Sequence, residues 1–453
     1  MFRKPAEAQR NICIVRVVFH IGAGIRETPA HSAKQYGASL TTRQFDTPAA
    51  GPVHGSPVAD GGPRFPLYAP EFAENPHRLY GQMRRAHRSM VPVDLAPGVP
   101  ATLVIEHAVA VHILNDHEHF PADPRTWQKD MPADCPVLPI MQWRPVPARS
   151  TGEAFRRYRA ANLTALTDVD LHSLRAAVSG LATPLINSFC ETGSADLLRQ
   201  YAFPLTFGVC NTLLGCPPEI GQRVSAGMAA MFEGADAGEA NQAINAALAE
   251  LAAYKCSHPG DDVTTRLLQH EAQLDEEEMV HQLAGLYGAV IELQQNLIAN
   301  TLLLILTEDR LGGSVLGGSL STRDALDEVL FDNPPMANFL ITYPRQPILI
   351  EDAWLPAHQP VVISIAACNH DPAIRSDDHR GNRSHLSWGL GQRSCPAQTP
   401  AYLVAQEAID QLLDALPEME VDMPDGPDWR PGPFHRSLTA LPVTFPPSPP
   451  FPV

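Results

Sequence analysis

The chain has 453 residues, 44% of them apolar, with 33 basic and 50 acidic side chains and a formal net charge of −17. That length suits two or three average domains or one large one, with enough apolar residues for a sizeable core. The acidic balance excludes a general nucleic-acid binder, which carries a basic footprint, and is read as solubility. The cysteines at 13, 135, 190, 210, 216, 256, 368 and 395 include no Cys-x-x-Cys pair, so neither a zinc ribbon nor a small disulfide framework is expected. Buried, reduced thiols in a cytoplasmic protein are the default. No membrane span is expected near the start: Ile12 to Ile25 is short and broken by Arg16 and His20, whereas a span needs ~20 apolar residues.

In chain order, residues 1–60 are rich in Ala, Gly, Pro, Ser and Thr and predict a disordered or linker extension. A single large domain is expected over 61–446, followed by a Pro-rich tail at 447–453. Asn75-Pro76 opens a helix that runs to about Arg88. Segments 90–95 and 101–106, around Pro97-Gly98, predict a small antiparallel pair, and 107–115 a helix. Residues 118–150 carry seven prolines and form a long irregular loop of the kind that often serves as a lid.

From Thr151 to Thr307 the apolar spacing is helical: 153–161, 171–190, 195–214, 219–232 and 239–254. The longest helix spans 275–307, which at ~1.5 Å per residue approaches 50 Å. Residues 312–318 form a glycine connector, and a helix over 322–332 stops at Pro334-Pro335. Strands are expected at 348–350, 354–355 and 361–366. A polar stretch, 369–387, leads to a glycine loop, a helix over 400–416 and a last strand over 439–445. The fold class is mainly α with a minor β region.

The most informative stretch is Trp388-Gly-Leu-Gly391-Gln-Arg393-Ser-Cys395. Its two glycines allow a tight turn and close approach to a flat ligand. Arg393 lies two residues before the sulfur, within reach of a carboxylate on a ligand's rim. Cys395 falls at the start of the last helix, where the dipole favours a thiolate. Trp388 is placed to cover the sulfur side and exclude water.

This stretch resembles the Phe-x-x-Gly-x-Arg-x-Cys-x-Gly loop of the cytochromes P450, with Trp388 for Phe and Ala397 for the final Gly. The resemblance covers about 385 residues and includes Asn75-Pro-His-Arg-Leu-Tyr, Phe155-Arg-Arg-Tyr-Arg, Val361 to Pro372 and His435 to Pro442. It implies the cytochrome P450 fold with a long central helix over the haem, haem b as cofactor and Cys395 as the iron's ligand. Gly391 and Trp388 would shape the site, and Arg393 and Arg156 would hold haem propionates. Electrons would come from a separate ferredoxin, since no flavin or iron–sulfur module is recognised in the chain. The substrate would be a small lipophilic molecule receiving one oxygen atom.

Four departures from the family pattern stand beside these matches. Glu-x-x-Arg becomes Glu328-Val-Leu-Phe331, as in a bacterial branch that lacks this arginine, and Arg380 or Arg383 is the expected partner of Glu328. The central helix carries Ala289-Val-Ile-Glu292-Leu293, so the usual Thr is Leu293 and proton delivery falls to Glu292 or water. Gly152 stands where many relatives have a propionate-binding His, four residues before Arg156. The strand arginine that grips the other propionate aligns near Thr342, with Arg345 as a substitute. Two alternatives to monooxygenation follow: a degenerate haem protein acting as a regulatory or scaffold partner, and a peroxide-driven oxygenase.

Overall fold

The computed structural model describes residues 63–452 except 233–236, 309–320, 352 and 375–381. The extension expected over 1–60, the glycine connector and Arg380 lie outside the described residues. Helices dominate, and three small sheets flank them. The largest sheet orders its strands Phe65–Pro66, Met90–Ala96, Val99–Val104, Val361–Ser364 and Asn338–Thr342. Met90–Ala96 and Val99–Val104 form the expected antiparallel hairpin, and Val361–Ser364 joins Val99–Val104 in parallel. Asn338–Thr342, not foreseen from the sequence, closes that edge antiparallel.

The long helix runs Glu276–Thr307. Its start is fixed by a capping box in which Asp275 and Glu278 satisfy each other's backbone amides. Its middle, Ala289–Leu293, widens into a π turn, a form frequent at functional sites. Beyond it Leu297, Ile298, Leu302 and Ile305 are buried in the largest apolar cluster, each worth about 1.5–3 kcal/mol by area removed from water. Buried amides bolt this helix to distant segments: Gln294 Nε2 donates to the Ala401 carbonyl at 2.7 Å, and Ser437 Oγ to Asn296 Oδ1 at 2.8 Å. The helix is long and apolar enough to cross a membrane, yet 67% of its most apolar stretch is buried inside the protein.

Helix Thr322–Asp332 lies as expected, and Gly152–Thr167, Leu171–Asn187 and Gln398–Ala415 differ from expectation only at their ends. The strand expected over 361–366 bends at Ser364, whose hydroxyl accepts from Ala367 N and caps the short helix Ile365–Asn369. Helix Val263–Gln269 was not foreseen. The Pro-rich tail is pinned: Ser448 N donates to the Cys190 carbonyl, and Asn187 bonds both polar backbone atoms of Phe451.

The 118–150 segment is a wall and not a free lid. Trp127, Cys135, Val137 and Met141 are buried in the core beside the main sheet. Its backbone is tied down where the Pro121 and His119 carbonyls accept from Tyr343 N and Arg345 N.

Candidate functional site

The Cys395 loop is folded by its glycines. Gly389 and Gly391 have φ of +70° and +62°, where a side chain is strained, and a Cβ on Gly391 would press to 3.0 Å from Asn115 Oδ1. The loop closes through Cys395 N donating to the Trp388 carbonyl at 2.6 Å and Ser394 N to the Gly391 carbonyl at 3.1 Å. Helix Gln398–Ala415 follows at once, and the amide of Ala397 points at the Cys395 sulfur. Burial pushes the Cys395 thiol up, while that amide and the charge of Arg159 pull it back toward the thiolate. The Trp388 ring packs against Tyr402, 5.1 Å between centroids.

Beside this loop lies a cavity of about 290 Å³. Its wall comes from the cysteine loop (Leu390, Arg393, Ser394, Pro396), the 146–149 turn, helix Gly152–Thr167, strand Asn338–Thr342 and the long helix. The long helix shows it Gln282, Gly285, Leu286 and Ala289, a face that runs up to the first residue of the π turn. Most of the lining is apolar, but Arg149, Arg159 and Arg393 also line the space, and among the described residues no Asp or Glu does.

Arg393 donates to the Pro147 and Ser150 carbonyls at 2.8 and 2.7 Å, stacks over the Phe155 ring at 4.5 Å, and leaves its Nε buried without a partner. Burial, together with the charges of Arg149 and Arg159, lowers its pKa to about 10. Among the described residues, none of the three arginines has a carboxylate partner.

Several sequence expectations need correction. Arg156 does not face the cavity: it is exposed and paired with Glu153. Arg159, three residues on, takes that place, because Phe155 is the buried anchor of the helix and Arg159 lies one turn above it. Glu292 does not line the cavity either. Its carboxylate is bound by Arg430, Gln295 Nε2 (3.1 Å) and Asn296 Nδ2 (3.3 Å), tying the long helix to the C-terminal segment. Leu293 is likewise absent from the lining, and of the cysteine loop the lining takes Leu390, Arg393, Ser394 and Pro396 but not Trp388, Gly391 or Cys395 itself.

Of the two partners expected for Glu328, Arg383 pairs with the buried Asp327, one residue earlier, and Arg380 lies outside the described residues. Asp327 also takes the Tyr402 hydroxyl at 2.5 Å and lies 3.6 Å from Arg323. Phe331 is buried edge-on against His385. Arg345 is exposed, so it does not substitute for the strand arginine. Arg149 was missed, since nothing in a proline-rich segment announces that one turn of it reaches a distant cavity.

No protein-family model matches the chain. Curated relatives do. A 2-hydroxy-5-methyl-1-naphthoate 7-hydroxylase from Streptomyces carzinostaticus is 26% identical over 73% of this chain and 85% of its own length. The cytochrome P450 monooxygenase PikC of Streptomyces venezuelae is 27% identical over 83% and 92%. The chain is similar in sequence to bacterial cytochrome P450 monooxygenases. Among solved structures, testosterone-bound CYP154C4 from Streptomyces sp. ATCC 11861 superposes with a TM-score of 0.77 at 24% identity, covering 85% of this chain and 98% of that one. The cytochrome P450 BioI bound to an acylated carrier protein gives 0.73 at 24%, covering 83% and 100%. The fold is therefore that of the cytochromes P450.

That family implies haem, and the residues fit it. A porphyrin with two carboxylates matches a cavity that pairs apolar walls with three guanidiniums lacking acids, one with an orphaned Nε. A single thiol, placed at a helix start with a backbone amide aimed at its sulfur, suits a thiolate that would hold the iron.

Proposed function

We propose that the protein is a haem-thiolate monooxygenase that inserts one oxygen atom of O2 into a small lipophilic substrate, using electrons from a separate ferredoxin, in the cytoplasm. The observation that carries this reading is the convergence of the Cys395 loop and unpaired arginines on one apolar cavity. Cys395 would hold the haem iron through its sulfur, and haem bound by a thiolate would supply oxygen activation. Arg393 and Arg159 would hold the haem carboxylates. Gly391 lets the loop pass close to Asn115, and Trp388 braces it against Tyr402. Leu286, Phe339 and Leu390 keep water from the site, while Gly285 and Ala289 leave room above it. Glu292 can hand on a proton only by releasing Arg430.

That ion pair and Leu293 favour two alternatives: a haem protein that has lost turnover and acts as a partner, and peroxide-driven chemistry. Incubation with a surrogate ferredoxin, its reductase, NADPH and 18O2 over a panel of lipophilic substrates separates them. One 18O atom in the product, with substrate-dependent NADPH use, is expected. Product only with hydrogen peroxide would support the peroxide route, and haem uptake without any product would support the partner role.

A further inference from the structure

We propose that Arg149 completes a guanidinium clamp for the two haem carboxylates, delivered by the 118–150 segment in place of an arginine on the Asn338–Thr342 strand. The inference rests on the haem reading above and assigns a residue that the sequence resemblance does not. The strand position where an arginine was expected holds Thr342, which lines the cavity with its Oγ1 buried and without a partner. Arg149 reaches the same strand and lines the same cavity. It is 8% exposed, and its guanidinium lies 5.1 Å from the centroid of Phe339.

Its contacts hold the side chain but do not neutralise it. One terminal nitrogen donates to the Ile140 carbonyl at 2.8 Å and the other to that of Ala148 at 3.2 Å. A buried cation without a counter-ion is strongly unfavourable, and here three cations share one wall with no acid in it. A ligand carrying two carboxylates relieves that arrangement, and planar forks are the side chains suited to bind it. The coupling extends to the backbone. Arg393 bonds the carbonyls of Pro147 and Ser150, on either side of Arg149, so the cysteine loop and the Arg149 turn form one unit. Haem binding would therefore brace the 118–150 wall.

The test uses the full-length haem-loaded protein and its R149M, R149K and R156A variants, following haem transfer to excess apomyoglobin. R149M is expected to release haem ~10- to 100-fold faster, the range for losing a charge-assisted hydrogen bond. R149K, which keeps the charge but not the fork, should fall between R149M and wild type, and R156A should match wild type. Wild type should also prefer haem to its dimethyl ester, with that preference reduced in R149M. Release from R149M and R149K at the wild-type rate, or faster release from R156A than from either, would overturn the assignment. Should R149M fail to fold by circular dichroism, R149K decides in the same way. A wild-type protein that takes up no haem at all would overturn the haem reading itself, a result separate from any difference between variants.

Discussion

The cavity wall and the ground beneath it treat charge in opposite ways. Around the cavity, Arg149, Arg159 and Arg393 face inward with no acid beside them. Under the cysteine loop and along the long helix, charges come as closed sets: Glu292 with Arg430, and Asp327 with Arg323, Arg383 and Tyr402. Both regions bury ionic groups at a cost in desolvation. Where partners are supplied by the chain, the charge serves architecture. Where they are withheld, the cations stand ready for a bound acid, a part that the two carboxylates of haem would play in the proposed function.

The largest effect in the paired region should come from Asp327. Asp327→Ala leaves Arg323 and Tyr402 facing an empty acceptor, and a loss of about 3 kcal/mol is expected, at the low end for a broken buried pair because Arg383 is mostly exposed. Denaturant midpoints measure it, and unchanged stability would break the contrast drawn above. Glu292→Gln should cost less, about 1–2 kcal/mol, since both partners are partly exposed. Its haem-loaded form should turn over normally; a tenfold loss of rate at unchanged stability would return Glu292 to proton delivery.

A pH effect belongs between this and the smallest. His385 is buried against Phe331, and burial pushes its pKa down to about 4 from an ordinary 6.5. The unfolded chain takes up that proton first as pH falls. Stability tied to a neutral His385 is thus complete above pH ~6.5 and declines toward pH 4. Unfolding midpoints at pH 7.5 and 5 should show the decline, with a shallower one in His385→Leu. Smallest of all, Arg156→Ala should change stability by no more than about 0.5 kcal/mol, as exposed pairs do. A larger change would mean that the helix faces the cavity differently.

Much of this was legible in the sequence, for local reasons. The long helix declares itself by apolar periodicity and by the Asp275–Glu278 cap, and the cysteine loop by glycines whose turn geometry few other residues adopt. The strand Asn338–Thr342 was illegible because five residues after two prolines show no alternation, and only pairing with Val361–Ser364 makes them a strand. The π turn at Ala289–Leu293 leaves no mark in the apolar pattern. Within Phe155-Arg-Arg-Tyr-Arg three arginines compete. Phase alone could have favoured Arg159, which shares a face with the buried Phe155, but the family resemblance pointed to Arg156. Arg149 depends wholly on contacts made across the fold.

The central claim is that Cys395 and the unpaired arginines form one haem site. The absorption spectrum of the purified, reduced protein with carbon monoxide, beside Cys395→Ala, tests it most directly. A red-shifted, thiolate-type Soret band in the wild type that vanishes in the variant is the expected result. A wild-type protein without haem, or the same band in Cys395→Ala, would contradict it.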